Sequence, residues 1–516
     1  MSNSSEKTQE AGEAYQIVQT AYKERICLPV EFRINQIKRL AYAIQESRQL
    51  IYDALFADMN QHPGEVDTST INSLIWACEE YVETLKKLAK PIKPTVRQVG
   101  FMLYDSSILP TPLGPALCIG PFNYPFKLAL EPMIAAMAAG CPFVIKPSEL
   151  SPHTGKLLKN MIEETLDQRC YRVILGEKEV SEQLLEKPWG RVIFTGSTRV
   201  GRLVGVACAK TLTPCALELG GKSPVIIDET FDIELVAKRT FVYKTMNCSQ
   251  TCTTPDYILV PTALQDAYVA ACEKLLASWF PAGELDSDTY GKFPTEGTID
   301  RLERLLDQTE GTIIKRGLVN RERKRMGISI VKNVKETDAL MKEEIFGPIL
   351  VVVPVDSIEY AIRIVNNQGS SLGISIFSHS KKTIQRIIEQ TQSGTILIGD
   401  CVQHAIMDHI PFGGVGESGH GAYHGKWGFD LFTQPRPIVR VPASAEILLN
   451  ARYPPHTPAK RKLLRLALLP LSLPFSKPGW NRKTVWTWWI QRKGWKLGIV
   501  LAVVGLVLQT WKRRTV

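Results

Sequence analysis

The sequence predicts an α/β fold built from two layered domains, and two features of the chain support that prediction. Between Pro115 and Leu219, short and wholly apolar runs alternate with helical segments, as in a parallel sheet covered on both faces. The alternation resumes after Cys252 with an apolar run at 257–260, which indicates a second α/β domain. At 516 residues, the chain is long enough for two or three domains.

The region before Pro115 is expected to be helical and then extended. From Tyr15 to Met59, apolar residues recur at three- and four-residue steps, and a second helix is expected from Thr70 to Leu88. Phe101 to Pro112 alternates loosely between apolar and polar residues, which favours an extended segment. We assign this opening a structural role.

The first α/β layer is expected to contain four short strands and the helices between them. The strands are Ala116–Ile119, Pro142–Ile145, Arg172–Leu175 and Val192–Phe194, and the helices are Met133–Ala139 and Leu157–Leu166. The last strand leads into T-G-S-T-R-V-G, a turn that opens a helix and presents free N–H groups to a phosphate. Because it is not a G-x-G-x-x-G turn, an ordinary strand-to-helix turn remains the alternative.

The formal charge of +10 belongs to the C-terminal tail. Residues 451–516 hold fourteen Lys and Arg and no acid, so the remainder has 48 basic against 52 acidic residues, a net charge of −4. Because the remainder of the chain has no basic excess, nucleic acid is not expected to be a partner.

The eleven cysteines indicate a reducing compartment. Their number is odd, and their spacing suggests neither a disulfide framework nor a metal site. The polar residues 1–14 lack the apolar core of a secretory signal and the Arg-rich start of a transit peptide.

Two cysteines four residues apart are candidates for a nucleophile. Cys248 and Cys252 lie in M-N-C-S-Q-T-C-T-T-P-D, a run of small polar residues with no acid before Asp256. Because the thiolate is the reactive form, we expect these surroundings to lower the thiol pKa. The alternative is a pair of buried structural cysteines. Under oxidation, Cys248 is either a resolving thiol for Cys252 or a passive neighbour.

One glutamate stands out because it lies between two leucines and before two glycines. An unpaired carboxylate is costly to bury, so Glu218 in L-E-L-G-G-K-S-P is expected to face a cavity. The alternative is a carboxylate at a helix end that points to solvent.

Seven sequence blocks together resemble the aldehyde dehydrogenase superfamily in order and spacing. They are G-P-F-N-Y-P-F (120–126), I-K-P-S-E (145–149), F-T-G-S-T (194–198), L-E-L-G-G-K-S-P (217–224), Q-T-C (250–252), E-E-I-F-G-P (343–348) and P-F-G-G-V-G (411–416). The Asn-Tyr-Pro sequence, the short N-terminal region and G-A-Y-H-G-K (421–426) resemble the class 3, fatty-aldehyde branch. The resemblance covers roughly Ala14 to Val441.

The resemblance implies a division of the chain into domains. A Rossmann-type NAD-binding domain would comprise residues 1–92 and 115–219, and an α/β catalytic domain residues 220–428. Residues 93–114 and 429–445 would form an arm that bridges the subunits of a homodimer.

The resemblance also implies roles for individual residues. Cys252 would be the nucleophile, Asn123 and the backbone N–H of Cys252 the oxyanion donors, and Glu218 the general base. The cofactor would be held by Lys146 and Glu149 at the adenosine ribose, Gly196, Ser197 and Gly201 at the pyrophosphate turn, and Glu344 and Phe346 at the nicotinamide ribose. A carboxylate beside the 2′-hydroxyl favours NAD, with NADP possible.

Two residues depart from the family pattern. Ser249 stands where the family usually has Gly, and if that position needs a positive φ, serine strains the loop by about 1–2 kcal/mol. Gly399 stands where the family often has Asn. Neither change removes a reacting group.

The tail is expected to reach a membrane. Residues 495–511 form a predicted transmembrane anchor, with twelve unbroken apolar residues at 497–508, flanking tryptophans and basic residues beyond. Residues 446–494 are a basic, Trp-rich segment preceding it. The alternative is a buried C-terminal helix. A C-terminal anchor implies a cytosolic body on the mitochondrial outer membrane, the peroxisome or the endoplasmic reticulum.

The sequence therefore predicts a membrane-tethered enzyme that oxidises long-chain aliphatic aldehydes to acids. An aromatic or medium-chain aldehyde is the alternative substrate. A CoA-acylating relative is disfavoured by the presence of Glu218, and a catalytically silent membrane scaffold is the alternative outside the enzymes.

Overall fold

The computed structural model describes residues 2–96, 101 and 104–468. The chain divides into two compact units, Met1–Lys90 with Pro110–Gln434, and Pro91–Leu109 with Pro435–Val516. Among the described residues, no helix has both the length and the apolar character needed to cross a membrane. The predicted anchor at 495–511 lies outside the described residues.

The described part of the chain contains helices and strands in alternation. The helices are α1 (Ser2–Lys23), α2 (Val30–Glu46), α3 (Arg48–Met59), α4 (Pro63–Val66), α5 (Asn72–Leu88), α6 (Lys127–Ala139), α7 (Pro152–Thr165), α8 (Lys178–Leu185), α9 (Thr198–Lys210), α10 (Ile233–Thr245), α11 (Gln265–Trp279), α12 (Glu296–Gln308), α13 (Ile358–Asn367), α14 (Lys381–Gln390), α15 (Gly425–Leu431), α16 (Glu446–Leu449) and α17 (Pro458–Leu468). The strands are β1 (Asp105–Pro112), β2 (Ala116–Ile119), β3 (Phe143–Lys146), β4 (Tyr171–Val173), β5 (Arg191–Gly196), β6 (Cys215–Leu219), β7 (Pro224–Ile227), β8 (Tyr257–Pro261), β9 (Thr312–Lys315), β10 (Val319–Asn320), β11 (Arg325–Met326), β12 (Ser329–Lys332), β13 (Ile349–Val355), β14 (Ser371–Phe377), β15 (Ser393–Ile398), β16 (Gly419–His420) and β17 (Thr433–Arg440).

The first sheet has the order β16-β6-β5-β2-β3-β4, and every pairing is parallel except that of β16. Strand β2 lies between β3 and β5, so the chain order reverses beside it, and such switch points receive ligands at the carboxyl ends of the strands. Separate apolar clusters cover the two faces, one with α2, α5, α6 and α7 and the other with α1, α8 and α9. The predicted doubly covered parallel sheet is confirmed.

The second sheet has the order β15-β14-β7-β8-β13-β12-β9 and is parallel except for β9. Its strands β7, β8 and β14 are almost wholly buried within one large apolar core. Strand β16, which falls in the range assigned to the catalytic domain, joins the first sheet beside β6. Through that pairing, Gly419 lies opposite Glu218.

The helix predictions were correct in type but not always in extent. The long helical stretch from Tyr15 to Met59 is three helices, which begin or end at Lys23, Val30, Glu46 and Arg48. Helix α6 begins six residues earlier than predicted, at Lys127, because its first turns bury two charged residues that interrupt the apolar pattern.

The second unit is largely exposed in its described part. Strands β1 and β17 form a two-stranded sheet that lies mostly in this unit, and all residues of β17 after Thr433 are exposed. The backbones of Ile92 and Ile108 exchange two hydrogen bonds of 2.8 Å. Its last described helix is α17.

Candidate active site

The loop that carries Cys252 has an unusual backbone. Asn247, Cys248 and Ser249 follow one another at φ values of 47°, 50° and 62°, in the left-handed region that L-residues rarely adopt. The Gln250 side chain donates to the carbonyl oxygens of Asn247 (2.9 Å) and Lys292 (3.1 Å). These bonds hold the loop in a strained conformation, as is common at functional sites.

Both departures from the family pattern occur at positions with positive φ. The condition under which Ser249 strains the loop is met, because its φ is 62°, and its buried hydroxyl has no hydrogen-bond partner in the described structure. Gly399 has a φ of 81°, which both glycine and asparagine tolerate.

Replacing Ser249 by glycine should therefore stabilise the protein. Ser249→Gly relieves the left-handed strain and removes the unsatisfied hydroxyl, so we expect the free energy of unfolding to rise by about 1–2 kcal/mol. Ser249→Ala removes only the hydroxyl and should gain less. Denaturant unfolding of both variants and the parent measures this, and a Ser249→Gly variant less stable than the parent would contradict the strain assigned to this loop.

The Cys252 thiol is half-buried against a small apolar cluster formed by Leu372, Phe412 and Tyr423. Burial, together with the carboxyl groups of Glu344 and Glu218, raises its pKa to about 12. The expectation of a lowered pKa was wrong for this state, because the chain fold places two carboxylates beside a thiol that has none nearby in sequence. Its own backbone N–H and Lys127 act in the opposite direction.

The Cys248 thiol lies in a different apolar cluster from the one that Cys252 contacts. Cys248 is fully buried in the core of the second sheet, and burial raises its pKa. Cys252 packs against a different cluster. Of the two alternatives for Cys248, the passive neighbour agrees better with this placement.

Glu218 lies on β6 and is 3% exposed. Neither of its carboxylate oxygens has a hydrogen-bond partner in the described structure. The predicted burial is confirmed, and the alternative of a solvent-facing helix end is wrong. Burial and the nearby Glu131 raise the pKa of Glu218 well above its usual value, which is the condition for a carboxyl group that takes up a proton.

Asn123 connects the end of β2 to the cysteine loop. Its side-chain nitrogen donates to the backbone carbonyl oxygen of Gln250 at 2.9 Å. Its backbone carbonyl oxygen accepts from the side-chain amides of Asn247 (3.0 Å) and Gln61 (3.2 Å). An amide nitrogen carries two hydrogens, so one N–H remains for an oxyanion. The backbone N–H of Cys252 acts to lower the pKa of its own thiol.

The predicted adenosine-side residues lie at the carboxyl ends of β3 and β5. The buried Lys146 ammonium lies 2.5 Å from an oxygen of the exposed Glu149. Burial alone would raise the pKa of Glu149, but this ammonium lowers it below the usual value. The Ser197 hydroxyl caps α9 by accepting from the N–H of Val200 at 3.4 Å.

Two glycines shape the turn at the start of α9. A side chain at Gly201 would meet Leu219 at 2.5 Å, so glycine permits close packing of helix against strand. A side chain at Gly196 would meet the Phe194 ring at 2.6 Å. With free N–H groups in the first turn of α9, this cradle suits a pyrophosphate.

The predicted nicotinamide-side residues lie in the segment between α12 and β13, and Glu344 is beside the end of β6. The Glu344 carboxylate lies so close to Gly220 that a Cβ there would be 1.9 Å from it. Burial raises the pKa of Glu344 to about 8, although the backbone N–H of Gly221 acts to lower it. Phe346, at φ 46°, packs edge-on against Phe122 at 6.0 Å between centroids. The residues present therefore fit a nicotinamide dinucleotide.

A buried ion pair that the sequence analysis missed positions the Glu344 segment. Lys222 pairs with Asp256 and donates to the carbonyl oxygens of Leu340 (2.8 Å) and Glu343 (2.9 Å). Asp256 accepts from the N–H of Ile345 at 2.8 Å. The signal was present in the sequence, because Lys222 stands in an otherwise uncharged Gly-Gly-Lys-Ser-Pro run.

A second missed feature lies beside the thiol. The hydroxyl of Tyr124 lies 3.0 Å from the hydroxyl of Thr251 and donates to Glu65 at 3.3 Å. Burial raises the pKa of Glu65 to about 7. Glu65 precedes the first sheet by some fifty residues in sequence, so spacing alone gave no sign of it.

The first sheet is of the Rossmann type that binds dinucleotides, and Cys252 lies near a buried carboxyl group. Together these features define a cofactor-dependent oxidoreductase that uses a thiol. The chain belongs to the aldehyde dehydrogenase family, whose family model matches residues 2–438. This family and fold use NAD(P), and the protein is an oxidoreductase that acts on aldehydes.

The relatives place the chain in the class 3 branch. It is 38% identical over 435 residues to aldehyde dehydrogenase family 3 member A2 of Pongo abelii, covering 84% of this chain and 88% of that protein. It is 35% identical over 442 residues to human aldehyde dehydrogenase family 3 member B1, covering 85% and 93%. The structure of Staphylococcus aureus AldH in a substrate-bound state matches with a TM-score of 0.81 and 33% identity, covering 84% and 94%.

Proposed function

We propose that the protein uses NAD to oxidise long-chain aliphatic aldehydes to carboxylic acids while its tail tethers it to a membrane. The observation that carries the substrate class is the apolar cluster of Leu372, Phe412 and Tyr423 against which Cys252 packs. An alkyl chain buried there gains about 0.8 kcal/mol per CH₂. The uninterrupted apolar run at 497–508 supports the tether, since long-chain aldehydes partition into lipid.

The chain's own residues account for the covalent steps. The Cys252 thiolate attacks the carbonyl carbon, and Asn123 with the backbone N–H of Cys252 stabilises the oxyanion. When bound, the dinucleotide supplies the acceptor for the hydride that leaves this carbon. Glu218 then takes a proton from water as the water oxygen attacks the thioester, and the carbon–sulfur bond breaks to release the acid.

The preference for NAD rests on Glu149. The lowered pKa keeps this carboxyl group ionised at neutral pH, and its charge opposes a 2′-phosphate at the adenosine ribose. Dimer formation through residues 93–114 and 429–445 is supported by the exposed Ile438 and Val439 on β17.

Competition between two aldehydes tests the substrate class. We expect the purified protein to show a higher kcat/KM for hexadecanal than for benzaldehyde, with NADH formation abolished in Cys252→Ala as the control. One observation favours an aromatic aldehyde as the substrate. The rings of Phe412 and Tyr423 in the same apolar cluster pack edge-on, with 5.6 Å between their centroids. A higher kcat/KM for benzaldehyde would overturn the proposal in favour of that candidate.

A further inference from the structure

Helix α6 carries two charges into the interior. Lys127 and Glu131 are each 5% exposed and lie four residues apart in a helix whose other residues are almost all apolar and buried. Groups of this kind are rarely buried unless they are paired. One oxygen of Glu131 lies 2.9 Å from Nε2 of His424, and the Lys127 ammonium donates to the carbonyl oxygen of Ala405 at 2.7 Å.

The Glu131–His424 contact must hold a proton. The other ring nitrogen of His424, Nδ1, lies 3.2 Å from the carbonyl oxygen of Met407. A carbonyl can only accept, so Nδ1 carries a hydrogen. Nε2 and the facing carboxylate oxygen are otherwise both acceptors, so a proton lies between them. This bond fixes Oε1 of Glu131, while its Oε2 is buried without a hydrogen-bond partner in the described structure.

The cluster continues toward the surface through Asp408. One carboxylate oxygen of Glu131, one of Asp408 and one ring nitrogen of His424 all lie within 4.8 Å of one another. Asp408 is 9% exposed, and burial, reinforced by Glu131, raises its pKa to about 7. The half-buried Glu80 lies beyond Asp408, and both residues are close to Gly425. A Cβ added to Gly425 would lie 2.6 Å from the Glu80 carboxylate and 3.0 Å from the backbone carbonyl oxygen of Asp408.

At its inner end the cluster lies within electrostatic reach of the proposed general base. After burial, Glu131 is the charge that raises the pKa of Glu218. Tyr423 lies within electrostatic reach of both carboxyl groups and of Cys252. Burial would raise the pKa of Glu131 itself, but Lys127 and His424 lower it below the usual value. Glu131 is therefore ionised at rest and able to accept a proton.

The reaction makes such an outlet necessary. Aldehyde, NAD⁺ and water become carboxylate, NADH and two protons. Glu218 takes one of these protons from the attacking water, and the carboxylic acid product loses the other; the proton of the Cys252 thiol is regained at the end of each cycle. Glu218, with 3% exposure, cannot return protons directly to bulk water. A base that remains protonated cannot act in the next turnover.

We propose that Glu131, His424 and Asp408 form a proton outlet that carries protons from Glu218 to the surface. Glu131 receives the proton through water, Asp408 passes it outward, and His424 is a positioning residue that keeps one Glu131 oxygen free. The inference rests on the proposed chemistry of Cys252 and Glu218. It adds residues to which that chemistry assigns no role.

The test must consider every titratable group that faces this outlet. They come from α5, α6, β6, the cysteine loop and the segment before α15, and they are Cys78, Glu80, Tyr81, Lys127, Glu131, Glu218, Cys252, His404, Asp408, His409, Tyr423 and His424. Only Glu131 and Asp408 are changed below, each to its amide, which preserves shape and removes the ability to carry a proton.

Glu131→Gln and Asp408→Asn should separate proton removal from the earlier steps. In the full-length protein we expect a first-turnover burst of NADH of parental amplitude. The steady-state kcat that follows should be reduced by about tenfold relative to the parent. Raising the imidazole concentration should restore part of kcat, because a small base replaces the outlet. In Glu131→Gln, the rise of kcat with pH should also move to lower pH, because losing this negative charge lowers the pKa of Glu218.

Controls keep the outcomes distinct. Glu284→Gln removes another buried carboxylate, paired with Lys315 at 2.7 Å, and should leave kcat unchanged. A kcat in both outlet variants within about twofold of the parent, or a loss that imidazole does not restore, would overturn the outlet. So would a stoichiometric divalent metal whose removal by a chelator abolishes turnover, because the cluster would then be a metal site. Absence of aldehyde-dependent NADH formation by the parent would instead reject the proposed function.

Discussion

Glu218→Gln should stop the enzyme after a single turnover. The glutamine keeps the shape of the buried side chain but cannot take a proton from water, so the thioester on Cys252 persists. We expect a burst of NADH close to one per subunit and a steady-state kcat lower by about 10²–10⁴-fold. Rapid-mixing absorbance at the NADH band measures both quantities, and mass spectrometry of the quenched protein should show the acyl group on Cys252.

The pH dependence provides a second signature of the same residue. Because burial and Glu131 raise the pKa of Glu218, a smaller fraction of this group is ionised at a given pH than of an ordinary glutamate. The parental kcat should therefore increase as the pH rises toward that pKa, and Glu218→Gln should lose this increase. Cys252→Ala, which cannot form the thioester, should give no burst at any pH. Steady turnover by Glu218→Gln at the parental rate would reject Glu218 as the base.

Much of the framework could be predicted because parallel strands that are buried on both faces have distinctive sequences. The strands at 116–119 and 257–260 are such runs, and the structure contains both. Motif resemblance gave Cys252 as the predicted nucleophile and Glu218 as the predicted base. The structure brings the carboxyl groups of Glu218 and Glu344 close enough to affect the Cys252 thiol.

The sequence could not reveal what depends on distant neighbours. The raised pKa of Cys252 comes from burial and from Glu344, which is 92 positions away along the chain. Lys127 and Glu131 concealed the first turns of α6, because a charged residue ordinarily indicates an exposed position. The breaks between the first helices follow local backbone geometry, such as the turn at Ser47, that apolar periodicity does not encode.

Asp256→Asn is expected to give the largest loss of stability. Asp256 and Lys222 are 4% and 6% exposed, and removing one partner of a buried ion pair costs about 3–5 kcal/mol. The loss arises because the Lys222 ammonium stays buried without a compensating charge. Denaturant unfolding of the parent and the variant measures the change in free energy.

The same variant should weaken cofactor binding, since the pair holds the segment that presents Glu344. Lys222 anchors the carbonyl oxygens of Leu340 and Glu343, while Asp256 anchors the N–H of Ile345. We therefore expect a higher KM for NAD with a smaller effect on the burst amplitude at saturating NAD. The matched control is Lys332→Met, which breaks a more exposed pair with Asp266 and should cost about 1 kcal/mol or less. Equal losses in the two variants would mean that burial of the Lys222–Asp256 pair contributes nothing beyond an ordinary ion pair, and that Glu344 is held by other contacts.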